Sequence, residues 1–447
     1  MARDMTKGRI LPQMTAFAIP LILGNLFQIL YNATDSIIVG KFVGDDALAA
    51  VGTAGPIMNM AILFISGMCM GAGILMSTLY GAKDMKNLEK QISTTLIGGL
   101  VFSLLIAFLM IVFAVPILRL INSPEEIIGS AAIYLRVVFL GLIFTFVYNF
   151  LANTLRALGD SRTPLYFLVI SAFLNVAGDL LFVVTLKLGV MGSAVATVLS
   201  EALCCVCCGI YVKLKVPVLC LGKKWRVFER RVLWKTFSYG ITSALQQMCV
   251  QLGKILVQAI INVQGVAFIA AFTAINRVDD FVLSPEGNIA HATTTFIAQN
   301  RGAGDVERVK KGYRCGIIME LIFSVAVSII VFFAAAPLMK MFVAEDSAEV
   351  VALGVSYLRI IAFMYTMPAM TNIVQGFFRG MGDLKVTLIS TITNMGVRVI
   401  AAHILISMMG KGFYALAWSN FWGWVFMLLF EVPLLVRNMR KLGRGEL

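Results

Sequence analysis

The sequence predicts an all-α integral membrane protein of twelve transmembrane helices in two pseudo-symmetric six-helix lobes. Three observations carry that prediction. They are an apolar excess too large for a soluble domain, twelve long apolar segments, and an internal repeat that divides them six and six.

Of the 447 residues, 59% are apolar and 14% charged, against roughly 45–50% and about 25% in a soluble domain. This surplus excludes a soluble enzyme, a disordered chain and a disulfide scaffold. It suffices for about a dozen spans of about 20 residues. Hydropathy places them at residues 14–38, 48–80, 94–117, 132–155, 164–186, 189–214, 237–262, 266–297, 314–337, 356–377, 387–409 and 413–436. None alternates with period two, so a membrane β-barrel is excluded. The second and eighth exceed 30 residues and contain Pro56 and Pro285, which predicts long, tilted or kinked helices. The start, MARDMTKGRILPQ, is basic and polar and runs straight into a full-length span. No cleavable signal peptide is expected.

Charge gives the orientation. Of 37 Lys and Arg, 27 fall on the side of the N-terminus and seven on the other, leaving Lys254, Arg277 and Arg398 within spans. The positive-inside rule then puts both termini in the cytoplasm of a multi-pass cell-membrane protein. The net charge of +13 is mostly this topology signal, and nucleic acid is not an expected partner.

The repeat comes next. Tyr134-Leu135-Arg136 recurs as Tyr357-Leu358-Arg359, and Arg156 with Gly159-Asp160 recurs as Arg379 with Gly382-Asp383, both at an offset of 223. Gly81-Ala82-Lys83-Asp84 returns as Gly302-Ala303-Gly304-Asp305, and Pro116 as Pro337, at an offset of 221. The halves are an N-lobe at 1–214 and a C-lobe at 237–447. A basic cytoplasmic linker at 215–236, with Lys223, Lys224, Arg226, Arg230 and Arg231, joins them. Each half has an even number of spans, so the repeats are parallel, and a cavity between two such lobes is the expected binding site. The charges in the repeated cytoplasmic turns are expected to brace the inward end by ion pairing.

Placing an acid near the bilayer centre costs about 2.5–3.5 kcal/mol on insertion scales, so each buried acid needs a reason. Asp35 closes the polar run Tyr31-Asn32-Ala33-Thr34-Asp35 of the first span. Asp179 stands one turn beyond Asn175 in the fifth, on the same face, and Thr197 of the sixth can add a hydroxyl. Two carboxylates, an amide and a hydroxyl make an oxygen-rich site for a proton or Na⁺. Glu201, one turn from Thr197, reads more readily as interhelical hydrogen bonding.

The second half is not a copy. At the 223 offset Asn175 becomes Arg398 and Asp179 becomes Ala402. The eighth span instead carries Asn276, Arg277, Asp279, Asp280 and Glu286, and Lys254 lies in the seventh. The adjacent Asp279 and Asp280 cannot share one helix face, so one of them is expected in a structural ion pair. The C-lobe candidates are Glu286, Asp280, Lys254 and Arg398. Gln28, Tyr31 and Asn32 are candidates for substrate contact.

Other features read as structure. The Cys cluster at 204–208 lacks a nearby His and zinc spacing. The 24 Met and 31 Phe are core or lipid-facing, and His291 and His403 are packing residues. No Gly-Lys pair has the flanks of a nucleotide loop. No enzyme, no cofactor beyond the coupling ion and no bound metal other than Na⁺ at Asp35 and Asp179 are expected.

Pro20…Gln28…Asp35, Gly81-Ala82-Lys83-Asp84, Arg156-Ala157-Leu158-Gly159-Asp160 and Asn175…Asp179…Thr197, in this order along nearly the whole chain, resemble the multidrug and toxic compound extrusion (MATE) family. The resemblance implies a secondary antiporter that exports lipophilic organic cations and other drugs in exchange for H⁺ or Na⁺. It works by alternating access of two lobes. It implies that Asp35, Asn175, Asp179 and Thr197 form the N-lobe cation site, and that Glu286 matches an acid kept on the eighth span of the drug-exporting branch. Family members that use acids on the seventh and tenth spans differ from this chain, which has Lys254 on the seventh and none on the tenth. The expected partners are small-molecule drugs and membrane lipids, and the expected state is a monomer. The rival reading is a lipid-linked oligosaccharide or lipid flippase, for which Lys254, Arg277 and Arg398 would line a cavity for pyrophosphate.

Overall fold

A computed structural model of the protein describes residues 4–121, 123–216, 227–342, 348–409 and 413–445, without the side chains of 32, 33, 36, 40, 45–48, 409 and 413. Lys223, Lys224 and Arg226 of the basic linker, and the Asn32 side chain, thus lie outside the described residues.

Each apolar segment becomes helix. In the first half these are α1 (Ile10–Phe42), α2 (Asp45–Gly81), α3 (Met85–Leu120), α4 (Glu125–Leu140), α5 (Leu142–Ala157), α6 (Arg162–Asp179) and α7 (Gly189–Lys215). The second half supplies α8 (Arg230–Asn262), α9 (Val266–Gly302), α10 (Val306–Lys340), α11 (Ala348–Ala362), α12 (Thr366–Met381), α13 (Leu384–Met409) and α14 (Phe413–Gly443). Among the described residues, nine single helices and the two bent pairs α4–α5 and α11–α12 are long and apolar enough to cross a bilayer. The remaining span, expected at 266–297, is α9, whose Arg277, Asp279, Asp280 and Glu286 make it more polar than the other eleven. It and α2 run as single 37-residue helices through Pro285 and Pro56.

The fourth and tenth segments, each expected as one span, are broken, by 45° and 54°. Both breaks fall at the same place in the repeat, Gly141 and residues 363–365. At the first, the Gly141 N–H is shared between Val137 O (3.3 Å) and Val138 O (3.0 Å), and a Cβ there would sit 2.5 Å from Val198 Cγ2 of α7. At the second, Pro368 has no N–H to offer Met364 O. The chain tightens into i→i−3 bonds, Met364 N to Ile361 O and Met367 N to Met364 O, both 2.8 Å.

Hydropathy also predicts how the helices meet lipid. Val101, Leu104, Leu105 and Phe108 of α3 and Ile322, Ile329, Ile330 and Phe333 of α10 are each more than half exposed. Such an apolar surface is tolerable only in hydrocarbon. The inward faces are packed: Tyr134 and Leu135, and their repeat partners Tyr357 and Leu358, are at most 2% exposed.

The repeated turns do more than pair charges. Asp84 and Asp305 cap α3 and α10, accepting from Asn87 N (3.2 Å) and Arg308 N (2.9 Å). Asp160 accepts from Thr163 N (3.1 Å) and its hydroxyl (2.7 Å). These acids satisfy helix-end N–H groups, a use that the expectation of ion pairing did not include. Asn87, through its side chain and backbone, holds the Asp84 carboxyl below the usual carboxylate range.

The chain forms two compact units, Met1–Asp4 with Ile19–Ala244 and Met5–Ala18 with Leu245–Leu447. In the first, Gly71 of α2 comes so near α8 that a Cβ would lie 2.5 Å from the Tyr239 carbonyl carbon. Small residues let helix backbones approach this way in a membrane. In the second, Arg308 clamps the start of the chain. Its guanidinium donates to Met5 O (3.0 Å), Gly8 O (2.8 Å) and Gln13 Oε1 (3.2 Å). Met5, 1% exposed, also donates its N–H to Gln299 Oε1 (3.1 Å) and accepts from Asn300 Nδ2 (3.2 Å).

Candidate functional site

The first unit gathers its acids where α6 and α7 touch. Gly178 faces Ala196, where a Cβ would approach the Ala196 Cβ to 3.0 Å, and Gly192 lies equally near the Phe182 backbone. This closeness brings Asn175 and Asp179 of α6 against Ser193 and Thr197 of α7. At Asp179 the α-helix also widens into a π-helical turn, Leu180–Thr185, a local device frequent at functional sites.

Asp179, fully buried, and the Asp35 carboxyl face each other. The Ser193 hydroxyl donates to Asp35 Oδ1 at 2.9 Å. The Asn175 amide satisfies its neighbours when its nitrogen donates to Asp179 Oδ2 (3.1 Å) and its oxygen accepts from the Thr197 N–H (3.3 Å) and hydroxyl (3.2 Å); network consistency fixes such amides. Tyr31, one turn before Asp35, meets the Thr197 hydroxyl. Gln28, one turn earlier still on that face, is exposed. Glu201, part-buried, accepts from the Thr145 hydroxyl. All four proposed cation-site residues therefore stand in one cluster. Among the groups acting on Asp35 and Asp179 none is basic, so among the described residues this pair has no counter-ion of its own. It can hold a cation, release it, and change charge in doing so.

The second unit sorts its charges differently. Lys254 Nζ pairs with Asp280 Oδ1 at 3.3 Å, both side chains about half exposed. Asp279 points elsewhere, accepting from the Tyr365 hydroxyl at 2.7 Å near Arg398 and Tyr357. Tyr357 accepts from Asn420 Nδ2 at 2.7 Å. Tyr357, Arg398 and Asn420 are the repeat partners of Tyr134, Asn175 and Thr197, so the same patch exists in both halves with a guanidinium replacing an amide. Arg277 is exposed. Glu286 is fully buried beside Asn372.

Two acids escaped the sequence reading. Glu320 of α10 and Glu431 of α14 are both fully buried. Each interrupts a long apolar run, which is the signal that singled out Asp35. Glu431 lies beside Ser390, Arg379 and Gln375, in a network where Arg379 Nη2 (2.7 Å) and Gln246 Nε2 (2.9 Å) both donate to Gln375 Oε1.

With this geometry in hand, the chain can be compared with known proteins. It matches the MatE family over residues 20–181 and 242–404, one match in each half. It is 30% identical over 410 residues to the probable multidrug resistance protein YoeA of Bacillus subtilis, covering 90% of this chain and 88% of that one. Identity to the probable multidrug resistance protein NorM of Thermotoga maritima is 25% over 406 residues, 88% and 85% of the two chains. Among solved structures, an outward-facing multidrug resistance MATE transporter of the MOP superfamily matches with a TM-score of 0.91 at 22% identity, over 98% of each chain. A MOP-superfamily transporter from Pyrococcus furiosus gives 0.89 at 22%, also over 98% of each. The fold is thus that of twelve transmembrane helices in two lobes, and the chain belongs to the MatE family of multidrug and toxic compound extrusion transporters.

Proposed function

We propose that the protein is a secondary antiporter of the cell membrane, with both termini cytoplasmic, that exports lipophilic organic cations in exchange for an inward-moving cation. The observation that carries this reading is the facing pair Asp35 and Asp179, held by Ser193 and Asn175 without a basic partner. Cation binding there stabilises one state of an alternating-access cycle and drug binding the other; only such differential affinity moves a conformational equilibrium. With the Asn175 nitrogen turned to Asp179, the amide offers that carboxyl a donor and not a metal ligand. This supports H⁺ over Na⁺ as the coupling ion. The protein works as a monomer with no cofactor.

The flippase reading loses support from the second unit. Lys254 is taken by Asp280 and Arg398 lies beside Asp279, so two of the three bases named for a pyrophosphate already have acidic neighbours, and the third, Arg277, is exposed. Transport of ethidium in proteoliposomes, with ΔpH and ΔNa⁺ imposed separately, tests the proposal. Uptake driven by ΔpH alone is expected. Ethidium movement indifferent to both gradients would sink it.

A further inference from the structure

We propose that Glu286 of α9 and Glu320 of α10, with Asn372 of α12, form a second proton-binding site wholly inside the second unit. Both carboxyls are completely buried; the Asn372 side chain lies beside Glu286, and among the described residues none of the four carboxyl oxygens has a well-formed hydrogen bond. Their helices are drawn together nearby. Gly316, one turn before Glu320, lies so close to its neighbours that a Cβ would sit 2.6 Å from Ile373 Cδ1 and 2.7 Å from Thr293 Oγ1. Thr293 is two turns beyond Glu286 on α9, and Asn372 precedes Ile373 on α12. These contacts put the two acids and the amide at one level of a three-helix junction.

Among the described residues, no basic group acts on either acid. The titratable groups acting on Glu286 and Glu320 are each other, Asp279 two turns up α9, and Tyr365 at the start of α12. The Tyr365 hydroxyl is itself directed to Asp279. An ionised carboxylate in such a place is strongly disfavoured unless paired. Full burial leaves no space for an organic cation, and among the described residues no group of three metal-type ligands exists. A proton is the cation that fits.

The internal repeat supplies an independent argument. At the 221 offset Glu286 corresponds to Ile65 and Glu320 to Gly99. In the first unit these two residues line a mostly apolar pocket with Cys69, Phe102 and Phe146. The architecture therefore manages this position with a branched hydrocarbon and a glycine, and nothing in the helix packing calls for acids. Their presence in one half alone points to chemistry. Each carboxylate takes up one proton to become a carboxylic acid and gives it back, with no other bond changed.

For its use in transport the site rests on the exchange reading above; its proton occupancy does not. Infrared difference spectroscopy across a pH titration of the purified full chain in lipid nanodiscs separates the two. E286Q and E320Q keep shape and remove the titratable group. Each is expected to delete one protonated-carboxyl C=O band that D35N leaves in place. Drug-induced proton release, followed with a pH dye, should fall in E320Q and fall further in D35N/E320Q. If the carboxyl bands of E286Q and E320Q equal those of the parent protein at every pH, the site is refuted even when D35N behaves as proposed. If the bands vanish as expected but ethidium never responds to ΔpH, the exchange reading fails and the proton site stands. Should E286Q/E320Q not fold, E320D still decides: the band must shift if the site exists and stay put if it does not.

Discussion

The Tyr365 hydroxyl donates a 2.7 Å hydrogen bond to Asp279 Oδ1, while the adjacent Asp280 pairs with Lys254 at 3.3 Å. Two neighbouring acids thus have unlike partners and unlike burial. Hydrogen bonds to charged groups contribute about 1.5–3 kcal/mol, whereas half-exposed ion pairs contribute about 0–1 kcal/mol. Tyr365→Phe is therefore expected to lower thermal stability by about 1.5–3 kcal/mol, and Asp280→Asn by less than about 1 kcal/mol. Thermal unfolding of the two variants in one detergent makes the comparison.

Asp35→Asn should bring gradient-driven ethidium movement in proteoliposomes down to that of empty vesicles, with membrane insertion intact. Ser193→Ala removes one donor from the same carboxyl and should slow transport by a few-fold without abolishing it. Equal loss in both variants would make Ser193 part of the cation site itself.

Gly178→Leu drives a side chain into Ala196, where even a Cβ has only 3.0 Å. Overpacking of this kind costs about 1–3 kcal/mol, and it moves α6 away from α7. Coupled transport should fall together with thermal stability. Gly209→Leu, at a glycine with open space around it, should disturb neither.

In the repeated turn, Lys83 holds φ at 56° where Gly304 holds 73°. Left-handed backbone costs a side-chain-bearing residue about 1–2 kcal/mol. Lys83→Gly should raise the unfolding temperature and Gly304→Ala should lower it. A fall in both would show that the Lys83 side chain has a role of its own.

Asp84 has its carboxyl held low by Asn87. A depressed carboxyl contributes stability that is present above the ordinary carboxylate range and is lost as pH falls through the folded-state value. Asp84→Ala should lower stability at neutral pH and flatten the decline in strong acid, as read from unfolding at a series of pH values.

The twelve spans were legible because hydrocarbon sets their length and composition together. The breaks at Gly141 and Pro368 were not, since glycine and proline sit in many unbroken spans here, Pro56 and Pro285 included. Asp35, Asn175 and Asp179 could be grouped because helical spacing and isolation in apolar runs are both written in one dimension. Which of Asp279 and Asp280 meets Lys254 depends on how α9 is rotated by its neighbours, and a single sequence does not encode that rotation locally. Glu320 also interrupts an apolar run, but within its span it has no second acid or amide to mark it, only Ser324 and Ser328 at one-turn spacing.

The Arg308 clamp has a consequence for how the protein is made. Met5 is translated about 300 residues before the partners of its backbone, Gln299, Asn300 and Arg308. Until then the opening segment has no place to settle, and the sequence distance it must close delays it further. The segment around Met5 is therefore fixed only after α9 and α10 have been made, so removal of the Arg308 guanidinium should impair the late stage of biogenesis and leave the insertion of the preceding spans unaffected.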